Sequence, residues 1–314
     1  MASEFELIDR YFRKEAPSAL LGVGDDCALL KVKDTLAVST DMLVAGTHFF
    51  PDDDAYLLGR KSLAVNLSDM AAMGGKPKWA TLALALPCAD ESWLKAFSRG
   101  FLEIASEYGV DLVGGDTTRG PLAICVQIMG EVQDPLRRDG ARTGDDIWVS
   151  GTLGNAALGL SHLQGKLMLE EEDAMHCLAS LRNPVPRVGL GLALSRISRC
   201  AIDISDGFCA DLSHILEASK VAARVNFEDL PASSVLEKYR DRPEGRRAFL
   251  SGGDDYELCF TSPEAKRMEV EEIGRRLGLR LSRVGKIISG SGLVLLDGKG
   301  AVIEMGEKGY DHFR

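Results

Sequence analysis

The chain has 314 residues, 45% of them hydrophobic and 27% charged, and a formal net charge of −10. That length allows two domains with separate cores, and the acidic balance excludes a broad nucleic-acid-binding surface, which would be basic. Seven dispersed cysteines without a Cys-x-x-Cys pair point to reduced, mostly buried thiols in a cytoplasmic protein. No signal peptide is expected at the N-terminus, and no apolar run reaches the roughly 20 residues of a membrane span.

In chain order, residues 4–14 predict a short amphipathic helix. Residues 35–39 predict a strand that delivers Thr40 and Asp41, and His48 follows among apolar neighbours. Residues 55–73 predict a helix stopped by Gly74-Gly75. That helix carries Asp69 between small apolar residues, which favours a functional acid over a surface charge. A doubly buried strand is expected at 79–86 and a helix at 91–108. The run Val110 to Val113 then predicts a strand ending in a tight, backbone-exposing loop, Gly114-Gly115-Asp116-Thr117-Thr118-Arg119.

A strand at 121–132 closes the first half. Residues 133–146 are polar and glycine-bearing, and they mark the boundary between a domain at 1–135 and a second at 146–314. In the second half, a strand at 147–150, helices near 155 and at 187–198, and a strand at 201–204 lead to Asp203, Ser205, Asp206 and Gly207. A helix at 208–219 follows, then a strand at 223–227. Two helical pieces precede Gly252-Gly253-Asp254-Asp255, and a helix at 263–277 and two further strands complete the chain. Alternating strands and helices make the fold class α/β (α+β), and acid-bearing loops in both halves suggest two domains facing a cleft.

The acids in question are Asp25, Asp26, Asp41, Asp69, Asp116, Asp203 and Asp206. Two like charges 4 Å apart repel by about 4 kcal/mol at an effective dielectric of 20. If these acids converge, a divalent cation is the natural counter-charge. Carboxylates and hydroxyls without His or Cys select hard ions such as Mg²⁺ or Mn²⁺. Mg²⁺ keeps waters and takes one or two carboxylates together with substrate phosphates, so several ions imply a polyphosphate ligand and phosphoryl transfer. Taken singly, most of these loops read as ordinary turns. Gly144-Asp145-Asp146 reads as a polar turn, Asp255 and Glu257 as polar residues at a strand start, and His48 is balanced between packing and substrate contact. No Walker A or Rossmann glycine motif is present.

These stretches resemble the thiamine-monophosphate kinase family of the aminoimidazole-ribonucleotide synthetase superfamily. The matching segments are Gly24 to Ala28, Ser39 to Val44, Ala64 to Gly74, Gly114 to Gly120, Ala201 to Gly207, Ser251 to Phe260 and Gly309 to Phe313. The resemblance implies a two-domain synthetase-like fold. Its N-terminal α/β domain would form a dimeric sheet or barrel in a homodimer, and its C-terminal α/β domain would close the cleft. It implies direct in-line transfer of the ATP γ-phosphoryl group to thiamine monophosphate, with ATP as co-substrate and several Mg²⁺ ions.

By matching motif, Asp26, Ser39, Thr40, Asp41, Asp69, Asp116, Asp203 and Asp206 look like Mg²⁺ ligands. Of these, Asp41, Asp69, Asp116 and Asp203 are expected to be catalytic. Tyr108, Gly115, Asp116, Arg138 and Ser205 look like ATP contacts, and His48, Asp254 and Tyr310 look like contacts to the thiamine moiety. The family often has Glu where this chain has Asp254. Arg138 is a fixed cation suited to bidentate phosphate binding, with Arg137 as the competing choice. No general base is expected, because the attacking phosphate oxygen is already anionic. The alternatives are a sister family of the superfamily, namely an aminoimidazole-ribonucleotide synthetase-like ATP-dependent enzyme or the selenide-water dikinase and hydrogenase-maturation branches, which should carry a reactive N-terminal or C-terminal cysteine, and a non-catalytic Mg-nucleotide module.

Overall fold

The computed structural model describes residues 4–23, 27–304 and 309, with the side chains of Glu4 and Phe5 left aside. Asp25, Asp26 and Tyr310 lie outside the described residues. The chain divides into two compact units. The first comprises residues up to Met70 together with Gly75–Gln133, and the second comprises Ala71–Gly74 and Asp134 onward.

The first unit contains α1 (Glu4–Tyr11), β1 (Thr35–Val44), α2 (Ala55–Ala72), β2 (Lys76–Leu86), α3 (Glu91–Tyr108), β3 (Asp111–Arg119) and β4 (Ala123–Val132). Its four strands take the order β1-β4-β2-β3. β4 runs antiparallel to both β1 and β2, while β3 runs parallel to β2. The last pairing needs a crossover, which α3 supplies. Asp90 caps α3 by accepting from the amides of Ser92 and Trp93, and left-handed Gly109 ends it. α2 is buried almost all round, since Leu63, Ala64, Val65, Leu67, Met70 and Ala71 are each at most 4% exposed. α2 and α3 touch backbone to backbone: a Cβ at Gly59 would sit 2.1 Å from the Phe97 carbonyl oxygen, and one at Gly100 would sit 2.0 Å from that of Tyr56.

Two expectations change here. Thr40 and Asp41 do not end a strand, because β1 runs on to Val44. The glycine-rich stretch after Val113 is not a loop either. β3 continues to Arg119, pairing Gly115–Arg119 with Leu82–Leu86. The physical reason lies in Gly115. A Cβ there would stand 1.9 Å from the Leu82 carbonyl oxygen, so only glycine lets the strands close. Val113 is the extra residue of a bulge opposite Ala80/Thr81.

The second unit contains β5 (Asp146–Ser150), α4 (Asn155–Leu163), α5 (Glu171–Arg182), α6 (Val188–Leu194), β6 (Cys200–Asp203), α7 (Phe208–Ser219) and β7 (Ala222–Asn226). Short α8 (Ser234–Glu237), α9 (Pro243–Ser251), β8 (Leu258–Ser262), α10 (Arg267–Leu277), β9 (Leu281–Ile288) and β10 (Gly292–Leu296) follow. The six strands take the order β10-β7-β9-β5-β8-β6. One core joins Ile147, Val149, Ile202, Phe208, Leu212, Phe249 and Cys259. Cys177, Cys200, Cys209 and Cys259 are buried, but Cys27 and Cys88 are exposed, so the thiols are not uniformly core residues. Asp146 is more than a turn residue. It is fully buried at the start of β5 and takes two hydrogen bonds, of 2.5 and 2.9 Å, from Arg267.

Candidate active site

In the first unit, sheet register places the acids. Ser39 and Asp41 are both half-buried on the β1 face shared with core residue Leu43. The hydroxyl of Ser39 donates to Asp69 Oδ2 at 2.5 Å, joining β1 to the last turns of α2. Ser39, Asp41 and Asp69 therefore gather on the helix-bearing side of the sheet. Thr40 points to the other side, where Gln127 Nε2 donates to its hydroxyl at 3.3 Å.

Asp41 stands in the row Asp41–Val126–Leu82–Gly115, and Asp116 in the next row, Met42–Cys125–Ala83–Asp116. Alternation places Asp116 on the face opposite Asp41, where it is exposed and accepts the amide of Thr117. The register therefore brings Asp41 into line with Gly115, not with Asp116.

His48 lies in the turn after β1. Its Nδ1 accepts the Val44 amide at 3.0 Å, which leaves the ring proton on Nε2 and makes that nitrogen a donor. Tyr108 is the last residue of α3, immediately before Gly109 and β3.

In the second unit the acids lie on two loops laced together. Asp203 ends β6 and is 5% exposed, and Ser205 and Asp206 follow before α7. The amide of Asp254 donates to the Ser205 carbonyl at 2.9 Å, and that of Tyr256 donates to the Ile204 carbonyl at 2.8 Å. The contact is backbone on backbone, since a Cβ at Gly253 would lie 2.3 Å from the Ser205 carbonyl oxygen. Ser205 and Asp254 are thus brought side by side. Gly309 packs at the same place, where a Cβ would meet the Asp206 carbonyl oxygen at 2.9 Å.

Two buried acids, Asp211 and Glu257, and the half-buried Asp255 hold these loops, and the sequence pattern had given none of them a role. Asp211, 3% exposed on α7, accepts the amides of Asp206 at 3.1 Å and Gly207 at 3.0 Å. Burial, followed by the neighbouring charges of Asp203 and Asp206, pushes its carboxyl up to about 8. Asp255 reaches the surface in part, but its carboxyl is enclosed by protein and accepts the Gly154 amide at 2.7 Å beside the start of α4. That enclosure pushes its pKa well up. Glu257 accepts from Arg187 Nε at 2.7 Å and Ser150 Oγ at 2.5 Å, with a second contact from Arg187 Nη2. One sequence signal could have found Asp211: an acid four residues past Gly207, within the first turn of a helix.

Arg138 occupies a short 3₁₀ turn, Arg138–Gly140, whose carbonyl accepts the Ser219 hydroxyl at 2.7 Å. Its neighbour Arg137 is paired with Asp139 at 2.7 Å. Among the described residues no carboxylate pairs with Arg138. Of the two competing arginines, Arg137 is therefore the one that already has an acidic partner, in an exposed pair.

Among the described residues, no three His, Cys, Asp or Glu side chains already enclose an ion. The donor chemistry nevertheless suits a hard cation, since Ser39, Asp41 and Asp69 offer only oxygen. Asp203 and Asp206 add further carboxylate oxygens in the second unit, near enough to Asp211 to help raise its pKa.

The chain matches two family models in sequence. AIR synthase related protein, N-terminal domain, covers residues 24–132, and AIR synthase related protein, C-terminal domain, covers residues 142–298. It is 46% identical over 321 residues to the thiamine-monophosphate kinase of Salmonella typhimurium, covering 99% of this chain and 98% of that protein. The crystal structure of thiamine-monophosphate kinase from Stenotrophomonas maltophilia superposes with a TM-score of 0.85 at 46% identity, over 91% of this chain and 93% of that one. AaThiL complexed with AMPPCP and TMP superposes with a TM-score of 0.78 at 31% identity, over 88% and 87% of the two chains. This chain belongs to the thiamine-monophosphate kinase family, within the AIR synthase related proteins.

Proposed function

We propose that this protein transfers the γ-phosphoryl group of ATP directly to the phosphate of thiamine monophosphate, yielding thiamine diphosphate and ADP in the cytoplasm. The observation that carries this reading is 46% identity over nearly the whole length of thiamine-monophosphate kinases, together with oxygen-donor sets in both units. Mg²⁺, when bound, neutralises the phosphate charge that builds up during transfer. Ser39, Asp41 and Asp69 would hold an ion in the first unit, and Asp203 and Asp206 would hold one in the second; Asp26 and, from the other face of the first sheet, Thr40 and Asp116 complete the proposed ligand set. Gly115, Tyr108, Arg138 and Ser205 would bind ATP, with the Arg138 guanidinium gripping phosphate oxygens. His48 Nε2, Asp254 and Tyr310 would meet the thiamine moiety. Incubation with Mg-ATP and thiamine monophosphate should yield thiamine diphosphate and ADP in equal amounts, and excess EDTA should stop it. No diphosphate product, or product formed equally without a divalent ion, would overturn the assignment.

The same chain is proposed to form a homodimer through the first sheet. β1 is an edge strand of ten residues whose outer face shows Leu36, Val38 and Met42 at 43%, 51% and 57% exposure. A long apolar edge of this kind invites pairing with a second sheet. Sedimentation should give a dimer, and Val38→Asp should shift it towards monomer; a wild-type monomer at micromolar concentration would refute the interface.

A further inference from the structure

The loop Asp254–Glu257 is tied down at each of its four residues. Asp255 turns inward to the Gly154 amide, Glu257 is locked by Arg187 and Ser150, and two backbone bonds tie Asp254 and Tyr256 to Ile204–Ser205. Asp254 and Tyr256 both take left-handed backbone, at φ of 66° and 50°. Non-glycine residues adopt that conformation at a cost, and a bulky aromatic does so rarely. This geometry brings the Tyr256 side chain back towards Asp254. Its hydroxyl donates to Asp254 Oδ1 at 3.1 Å, while the residue as a whole is only 9% exposed. The phenol is therefore a confined, neutral donor placed against a half-buried carboxylate.

We propose that Tyr256 is a positioning residue for the phosphoryl acceptor: its hydroxyl fixes the rotation of the Asp254 carboxylate, which then receives a cationic or amine-bearing ring of the substrate. This deepens the kinase assignment above and rests on it. A terminal carboxylate torsion is broad when free. The Tyr256 hydroxyl narrows it before substrate arrives, which lowers the ordering cost of binding. ATP, bound by other residues, gains nothing from this pair.

Steady-state kinetics of Tyr256→Phe, with thiamine monophosphate and Mg-ATP varied separately, provide the test. KM for thiamine monophosphate should rise about tenfold or more, as for loss of a hydrogen bond to a charged group. kcat and KM for Mg-ATP should stay within about threefold of wild type, the pattern of a lost binding contact. The double variant Tyr256→Phe/Asp254→Asn should be little worse than Asp254→Asn alone, because the hydroxyl acts through that carboxylate. A merely structural tyrosine would instead raise both KM values together and give additive losses, and either result overturns the proposal. If the wild type makes no thiamine diphosphate, the kinase assignment falls and this role with it. Wild-type turnover with an unmoved acceptor KM in Tyr256→Phe overturns this role alone.

Discussion

The acids of the two units are held in place by different means. In the first, Ser39, Asp41 and Asp69 stand on a strand and a helix, and regular geometry aims them: two of them follow from the alternation of β1, and the third from the last turns of α2. In the second, Asp203, Ser205, Asp206 and Asp254 stand at a strand end and on loops, where no repeating geometry exists. There the aiming falls to buried Asp211 and Glu257 and half-buried Asp255, which each take up backbone amides or an arginine. An acid on a regular element needs few helpers, whereas an acid on a loop needs a buried partner to each bend. Removing a ligand should therefore look alike in the two units, while removing a support should not.

The largest effect is expected where the units are alike. Asp41→Asn and Asp203→Asn each keep shape and remove a charge from the proposed Mg²⁺ set. Each should lower kcat/KM by at least about 100-fold, the scale of losing one preorganised electrostatic contact to the transition state. Thermal melting should show both variants folded. If one of them retained wild-type turnover at saturating Mg²⁺, its unit would contribute position without charge, and the symmetry between the two acid sets would break. Asp116→Asn extends the same measurement to an acid that the register turns away from Asp41.

Much of this was legible in the sequence, for physical reasons. α3 (Glu91–Tyr108) and α7 (Phe208–Ser219) match their predicted spans because apolar spacing marks both, with Gly109 ending the first and Gly207 preceding the second. The acid-bearing positions were visible because Gly, Ser, Thr and Asp cluster there. β3 was misread after Val113 because two glycines and two threonines imitate a loop. What makes them a strand is the Leu82 carbonyl pressed against Gly115, a contact from another strand that no local pattern contains. The supports of the second unit were hidden for a similar reason. Asp211, Asp255 and Glu257 look like ordinary polar residues until their partners at Gly207, Gly154 and Arg187 are folded beside them.

A smaller effect separates the two modes of support. Asp211→Ala leaves the part-buried amide of Asp206 and the buried amide of Gly207 without their acceptor, which should cost about 1–3 kcal/mol of stability. Asp211→Asn keeps an acceptor oxygen in the same place and should recover most of that loss. The corresponding deletion in the first unit, Ser39→Ala, removes one hydroxyl donor to Asp69 but leaves β1 and α2 in register. It should cost about 1 kcal/mol or less. Urea unfolding of the three variants gives the stabilities, and the Mg²⁺ concentration needed for half-maximal turnover reports on the ligands themselves. Asp211→Ala should demand more Mg²⁺, because Asp203 and Asp206 lose the bend between them. Ser39→Ala should also raise that requirement, because it removes one proposed ligand oxygen, but without the loss of stability expected of Asp211→Ala. An unmoved requirement in Ser39→Ala would mean that the hydroxyl only orients Asp69 and is not itself a ligand.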